Sequence, residues 1–89
     1  MGASISGVVH PKESELMYVL DGTGTITTGG TLVGSAPGGA NVVGSKIEGG
    51  EPHKVAKGDF LLVPAGTPHG VSPDDGIALV LMTLHLPVQ

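Results

Sequence analysis

Apolar residues in this chain come in short runs, each bounded by glycine, proline or small polar residues, and no stretch predicts a helix. Residues 5–10 (ISGVVH) read as a strand in which Val8 and His10 share a face by two-residue alternation. Pro11 to Ser14 is a polar turn. Leu16 to Leu20 is the next strand, with Glu15, Met17 and Val19 on one face and Leu16, Tyr18 and Leu20 on the other. Asp21-Gly22-Thr23-Gly24 is a tight hairpin signal, followed by a strand over Thr25 to Thr28 and a turn at Gly29-Gly30.

A glycine-rich excursion runs from there to Gly50. Its two similar segments, Gly30 to Ser35 and Gly39 to Ser45, are predicted as short strands around an Ala36-Pro37-Gly38-Gly39 turn, since two copies fall short of a repeat architecture. Glu48 to Pro52 is a turn, His53 to Val55 a short polar strand, and Ala56 to Asp59 a turn into the apolar run Phe60 to Val63, read as a short buried strand. Pro64-Ala65-Gly66-Thr67-Pro68 forms a stiff corner, because the prolines fix φ near −65° and Gly66 is free to take positive φ. His69 therefore opens a new strand. Ser72 to Gly76 is a further turn, and Ile77 to Leu86 a strand apolar on both faces, stopped by Pro87.

Eighty-nine residues make one domain, near the lower limit for burying a self-sufficient core. The absence of cysteine removes disulfides and thiolate metal sites. Sixteen glycines, seven prolines, one Phe, one Tyr and no Trp describe many turns joined by small aliphatic strands. With four Lys and Arg, a net charge of −4 and almost no aromatics, the chain offers neither a basic patch nor a base-stacking surface, so nucleic acid is not an expected partner. No apolar run approaches the roughly 20 residues of a membrane span, and no basic region followed by an apolar core opens the chain. A cytoplasmic protein without a membrane partner is expected. The glycine-rich excursion lacks the spacings of a phosphate-binding loop.

Residues 58–69 have the spacing G-x5-P-x-G-x2-H, and this resembles the second conserved motif of the cupin superfamily. The family pattern continues with three residues and then an asparagine, where this chain has Pro73. The family's first motif, G-x5-H-x-H-x3-4-E-x6-G, resembles the stretch from Gly2 to Gly22: His10 matches the second histidine, Glu15 the glutamate and Gly22 the closing glycine, while Val8 stands where the first histidine belongs. The resemblance implies an all-β, jelly-roll-like small barrel, the cupin double-stranded β-helix, over residues 1–89. It starts at the first residues, where family members have one or two earlier strands, which implies a minimal or truncated member.

The resemblance also implies a metal held by His10, Glu15 and His69. Two imidazoles and one carboxylate suit a divalent transition metal such as Fe, Mn, Zn or Ni and leave coordination positions open. His10 and Glu15 are an odd number of residues apart, so only a reversal at Pro11-Lys12 brings them to one place. Glu13 competes for the carboxylate role, but its spacing to Gly22 is wrong and it is expected to face solvent. His53 is expected at the surface, and Tyr18, opposite Glu15, in outer packing or an interface. His85 shares a face with Leu79 and Leu81 and is left open between fourth ligand, acid/base and strand cap.

The family spans oxygenases, isomerases, decarboxylases, lyases, sugar-binding domains and storage proteins, so the fold does not name a reaction. The leading expectation is a mononuclear, dioxygenase-like metalloenzyme acting on a small oxygen-rich molecule, with no catalytic residue assigned. The alternatives are a metal-poor binding or sensor domain and a purely structural subunit. A homodimer is expected, in which the strand from Ile77 to Leu86 is covered once by its own barrel and once by a neighbour.

Overall fold

In the computed structural model, which describes residues 7–34, 36–38 and 41–87, the alternation over residues 13–21 becomes strand β2 (Glu13–Asp21). Glu15, Met17 and Val19 turn inward and are buried, whereas Leu16, Tyr18 and Leu20 take the other face. The strand is the centre of a three-stranded antiparallel sheet, between β9 (Phe60–Val63) and β11 (Val80–Pro87). Its register sets Tyr18 opposite both Phe60 and Met82, Leu16 opposite Leu62 and Leu84, and Glu15 opposite Val63 and His85. Facing residues in a ladder project from the same side of the sheet, so the apolar rows share the outer side and Glu15 and His85 share the other, Glu15 buried and His85 exposed at its edge.

A second antiparallel sheet has the order β5 (Ala36–Gly38), β6 (Asn41–Gly44), β1 (Gly7–Val9), β10 (His69–Pro73), β3 (Thr23–Thr28), β8 (Glu51–Ala56). Strands β4 (Thr31–Val33) and β7 (Lys46–Glu48) form a separate two-stranded ribbon. The two larger sheets meet across a core of Met17, Val19 and Val63 from one and Ile26 and Val55 from the other, with Leu61, Leu79 and Leu81 packed against it. The protein is thus all-β with antiparallel sheets, as expected, and among the described residues there is no helix.

Other expectations are corrected. No closed barrel forms among the described residues; two hydrogen bonds, Val19 N–H to Asp59 O and Gly58 N–H to Val19 O, carry the β2–β9 pairing into the turn between β8 and β9. Asp21 to Gly24 does not close a hairpin, because β2 and β3 belong to different sheets and Gly22 alone turns the corner between them. Its φ of 89° lies in the left-handed region, and a Cβ there would run into the Ala78 carbonyl, so only glycine fits. Ala36–Gly38 is a strand and not a turn; β4–β7 and β5–β6 continue one register as two tiers of a long hairpin, and Gly39 lies outside the described residues. The first strand is described from Gly7 onward, the earlier residues lying outside.

Phe60 to Val63 has the expected bounds but not the expected burial. Val63 is buried, whereas Phe60 is 66% and Leu62 54% exposed on the outer face. A four-residue apolar run without alternation reads as two-sided burial, and among the described residues nothing covers the second side. The final strand begins at Val80, after an irregular approach through Ile77 to Leu79, with a register shift between Val80 and Leu81.

Candidate metal centre

Both motif turns carry the chain from one large sheet to the other. The first, at Pro11-Lys12, joins β1 to β2; the second, Pro64 to Pro68, joins β9 to β10. Thr67 N–H closes the second turn on Pro64 O at 3.2 Å, and Gly66 takes φ of 80° at its tip. The two corners are fastened to each other, since Gly66 N–H donates to His10 O at 3.0 Å and Ala65 N–H to Ser14 Oγ at 3.1 Å. His10 leaves β1, Glu15 enters β2 and His69 starts β10, so three residues distant in sequence are delivered to one point between the sheets.

Their side chains meet there. Glu15 Oε1 lies 3.2 Å from His10 Nε2 and 3.0 Å from His69 Nε2. One donor atom from each residue falls within 4.8 Å of the others, close enough to bind one metal ion. Glu15 and His69 are 7% and 4% exposed, and His10 is partly buried. Yet Glu15 Oε1, buried as it is, has no hydrogen-bond donor in proper alignment among the described residues. A buried carboxylate oxygen left so is costly. Donors held about 2.1 Å from one ion stand roughly 3 Å from each other, and the two Nε2-to-oxygen separations match that spacing. Two imidazoles and a carboxylate therefore fit a divalent transition metal by donor type, convergence and the unsatisfied oxygen.

Electrostatics act in the same sense. Burial pushes the His69 imidazole below its ordinary value of 6.5; the Glu15 carboxylate opposes this and neighbouring His10 adds to it. At neutral pH His69 is accordingly held uncharged, the form in which an imidazole can ligate. His10 stacks at a tilt on His69, with ring centroids 5.1 Å apart, and meets His85 edge to face at 4.9 Å.

The centre lies on the wall of a cavity of about 540 Å³, which Val8, Met17, Val71, Leu81 and Thr83 also line. Sites for small molecules have volumes of roughly 300–1,000 Å³ and mostly apolar walls with a few convergent polar groups, and this cavity is of that kind. Val8 lies directly opposite His69 in the β1–β10 ladder, so the position lacking the expected imidazole does face the site.

The remaining candidates are now placed. His53 is bonded through Nε2 to Thr28 Oγ1 at 2.9 Å and does not line the cavity. Tyr18 stacks on Phe60 on the outer face, ring centroids 4.4 Å apart. His85 does line the cavity, with Nε2 3.6 Å from Glu15 Oε2. Glu13, expected in solvent, is half-exposed and accepts a 3.1 Å hydrogen bond from His85 Nδ1. Strand parity grouped His85 with Leu79 and Leu81 without choosing a face, and pairing with Glu15 depends on the register between β2 and β11, which local sequence does not specify.

No protein-family model matches the chain, and no curated protein and no solved structure is significantly similar to it. The centre is therefore interpreted from its own geometry. Among the described residues no helix is long and apolar enough to cross a membrane.

Proposed function

We propose that the chain is a cupin-type domain in which His10, Glu15 and His69 hold one divalent transition metal, and that it is a dioxygenase-like mononuclear metalloenzyme for a small oxygen-rich molecule. The observation that carries the reading is the approach of two imidazole nitrogens to a single buried, otherwise unsatisfied carboxylate oxygen. The cupin assignment is supported by the two motif spacings and by the placing of both motifs at crossings between facing antiparallel sheets. When bound, the metal would act as a Lewis acid toward oxygen donors and leave positions open for substrate or dioxygen. The chain's own contribution is to hold the three donors on strand ends, to keep His69 neutral, and to line the adjoining cavity with aliphatic side chains.

A second reading, a metal-poor small-molecule binding domain, draws on Val8, which extends the aliphatic wall where the family has a ligand. Elemental analysis after metal-replete expression separates the two. One equivalent of Fe, Mn, Ni or Zn, lost in His69→Ala, supports the metalloenzyme; metal-free wild type supports the binding domain.

The domain is further proposed to act as a homodimer through the outer face of the three-stranded sheet. Rows Met82-Tyr18-Phe60 and Leu84-Leu16-Leu62 make that face continuous and uncharged, and Phe60, Leu62, Met82, Leu84 and Leu86 are all exposed. Monomers seldom expose apolar patches of such extent, and a second copy brings a surface of the same shape and chemistry.

A further inference from the structure

We propose that His85 is a fourth protein ligand of this centre, held in place by Glu13. The inference rests on the metal-centre reading above and adds to it a residue from outside both motifs. Three observations support it. The β2–β11 register sets His85 directly opposite Glu15, both side chains facing the cavity. His85 Nε2 lies 3.6 Å from Glu15 Oε2, while His10 and His69 approach the other oxygen, so imidazoles flank the carboxylate on both sides. The third is the 3.1 Å bond from His85 Nδ1 to Glu13 Oε1.

That last contact has the form found around metal-binding histidines. A metal-binding histidine commonly donates its non-ligating N–H to a carboxylate, which fixes the tautomer and turns the other nitrogen's lone pair toward the metal. Glu13, two residues before Glu15 on the same face of β2, is that carboxylate for His85. Glu13 and His85 also form, with His10, a second set whose donor atoms lie within 4.8 Å of one another, whereas His85 falls outside the His10–Glu15–His69 set, so its imidazole joins that centre by turning toward the ion. The bland alternative is a cross-strand ion pair at a strand end that never meets the metal.

The test uses Co(II) as probe on the full chain, following d–d absorption and affinity. Wild type should bind one Co(II). His85→Ala should weaken binding by at least about tenfold and shift the position and intensity of the d–d bands, because the donor number falls; free imidazole should move the spectrum back. Glu13→Gln should weaken binding by about tenfold while changing the bands far less, as befits a positioning residue. His85→Gln, closer in size, guards against a folding defect and should show the same spectral change. If both His85 variants keep the wild-type affinity and spectrum, His85 is only Glu13's partner and this inference is overturned, while the three-residue centre stands. If wild type takes up no Co(II), the metal-centre reading itself is overturned, and this inference with it.

Discussion

At the scale of single residues, the centre depends on burial and on facing pairs. Val8 is opposite His69 and lines the same cavity, so Val8→His introduces an imidazole beside the proposed metal centre. Cβ atoms of such pairs are about 5 Å apart, within reach of a shared ion. Metal affinity should rise by about tenfold, or about 1.4 kcal/mol, and any turnover should fall as an open position closes. Titration with Co(II) or Zn(II) checks this, and no gain in affinity would place the centre elsewhere. His69 makes a pH prediction whose sign follows from its lowered pKa. Below pH 6.5 the unfolded chain takes up a proton at this residue before the folded one does, so folding stability should be lost progressively from pH 6.5 down to the folded pKa. Above pH 6.5 the residue contributes no slope. Melting of metal-free protein between pH 8 and 5 should show Tm falling with acidity, less steeply in His69→Gln; a Tm that rises on acidification would contradict the burial argument.

At the scale of elements, the connections between sheets position the site. Gly22 turns β2 into β3 at positive φ, against the Ala78 carbonyl. Gly22→Ala combines left-handed strain of roughly 1–2 kcal/mol with displacement of the segment leading into β11, for a total loss of about 2 kcal/mol or more. Chemical denaturation should report that loss, and because β11 carries His85, Co(II) affinity should fall as well. A variant as stable as wild type would show that the corner can relax. The same element explains a misleading signal: an Asp-Gly pair specifies a local change of direction, while pairing of the flanking strands depends on their other neighbours, here β9 and β11 for β2 and β8 and β10 for β3.

At the scale of the whole molecule, the buried core among the described residues is small, five apolar side chains, and Phe60, Leu62, Met82 and Leu84 of the three-stranded sheet lie outside it. An 89-residue chain buries too little of its surface to leave such a face bare without consequence. Sedimentation should find a dimer, and Leu84→Glu, a charge within the Leu84-Leu16-Leu62 row, should yield monomers that retain the proposed metal centre, because Leu84 projects away from the cavity. A wild-type monomer soluble at high concentration would exclude this interface.

Much of this was legible in local sequence. Alternation separated Glu15, Met17 and Val19 from Leu16, Tyr18 and Leu20, glycine and proline marked most turns, and motif spacing selected His10, Glu15 and His69, because strand period, turn chemistry and spacing act over a few residues. Only tertiary structure decided that Glu13 and His85 join the neighbourhood of the site, that the corner at Gly22 separates two sheets, and that Phe60 and Leu62 stand exposed. Each of these depends on which strands pair and in what register. That choice is made by contacts between residues as far apart as Glu13 and His85, where a shift of one position would turn the imidazole from the cavity to the outer face.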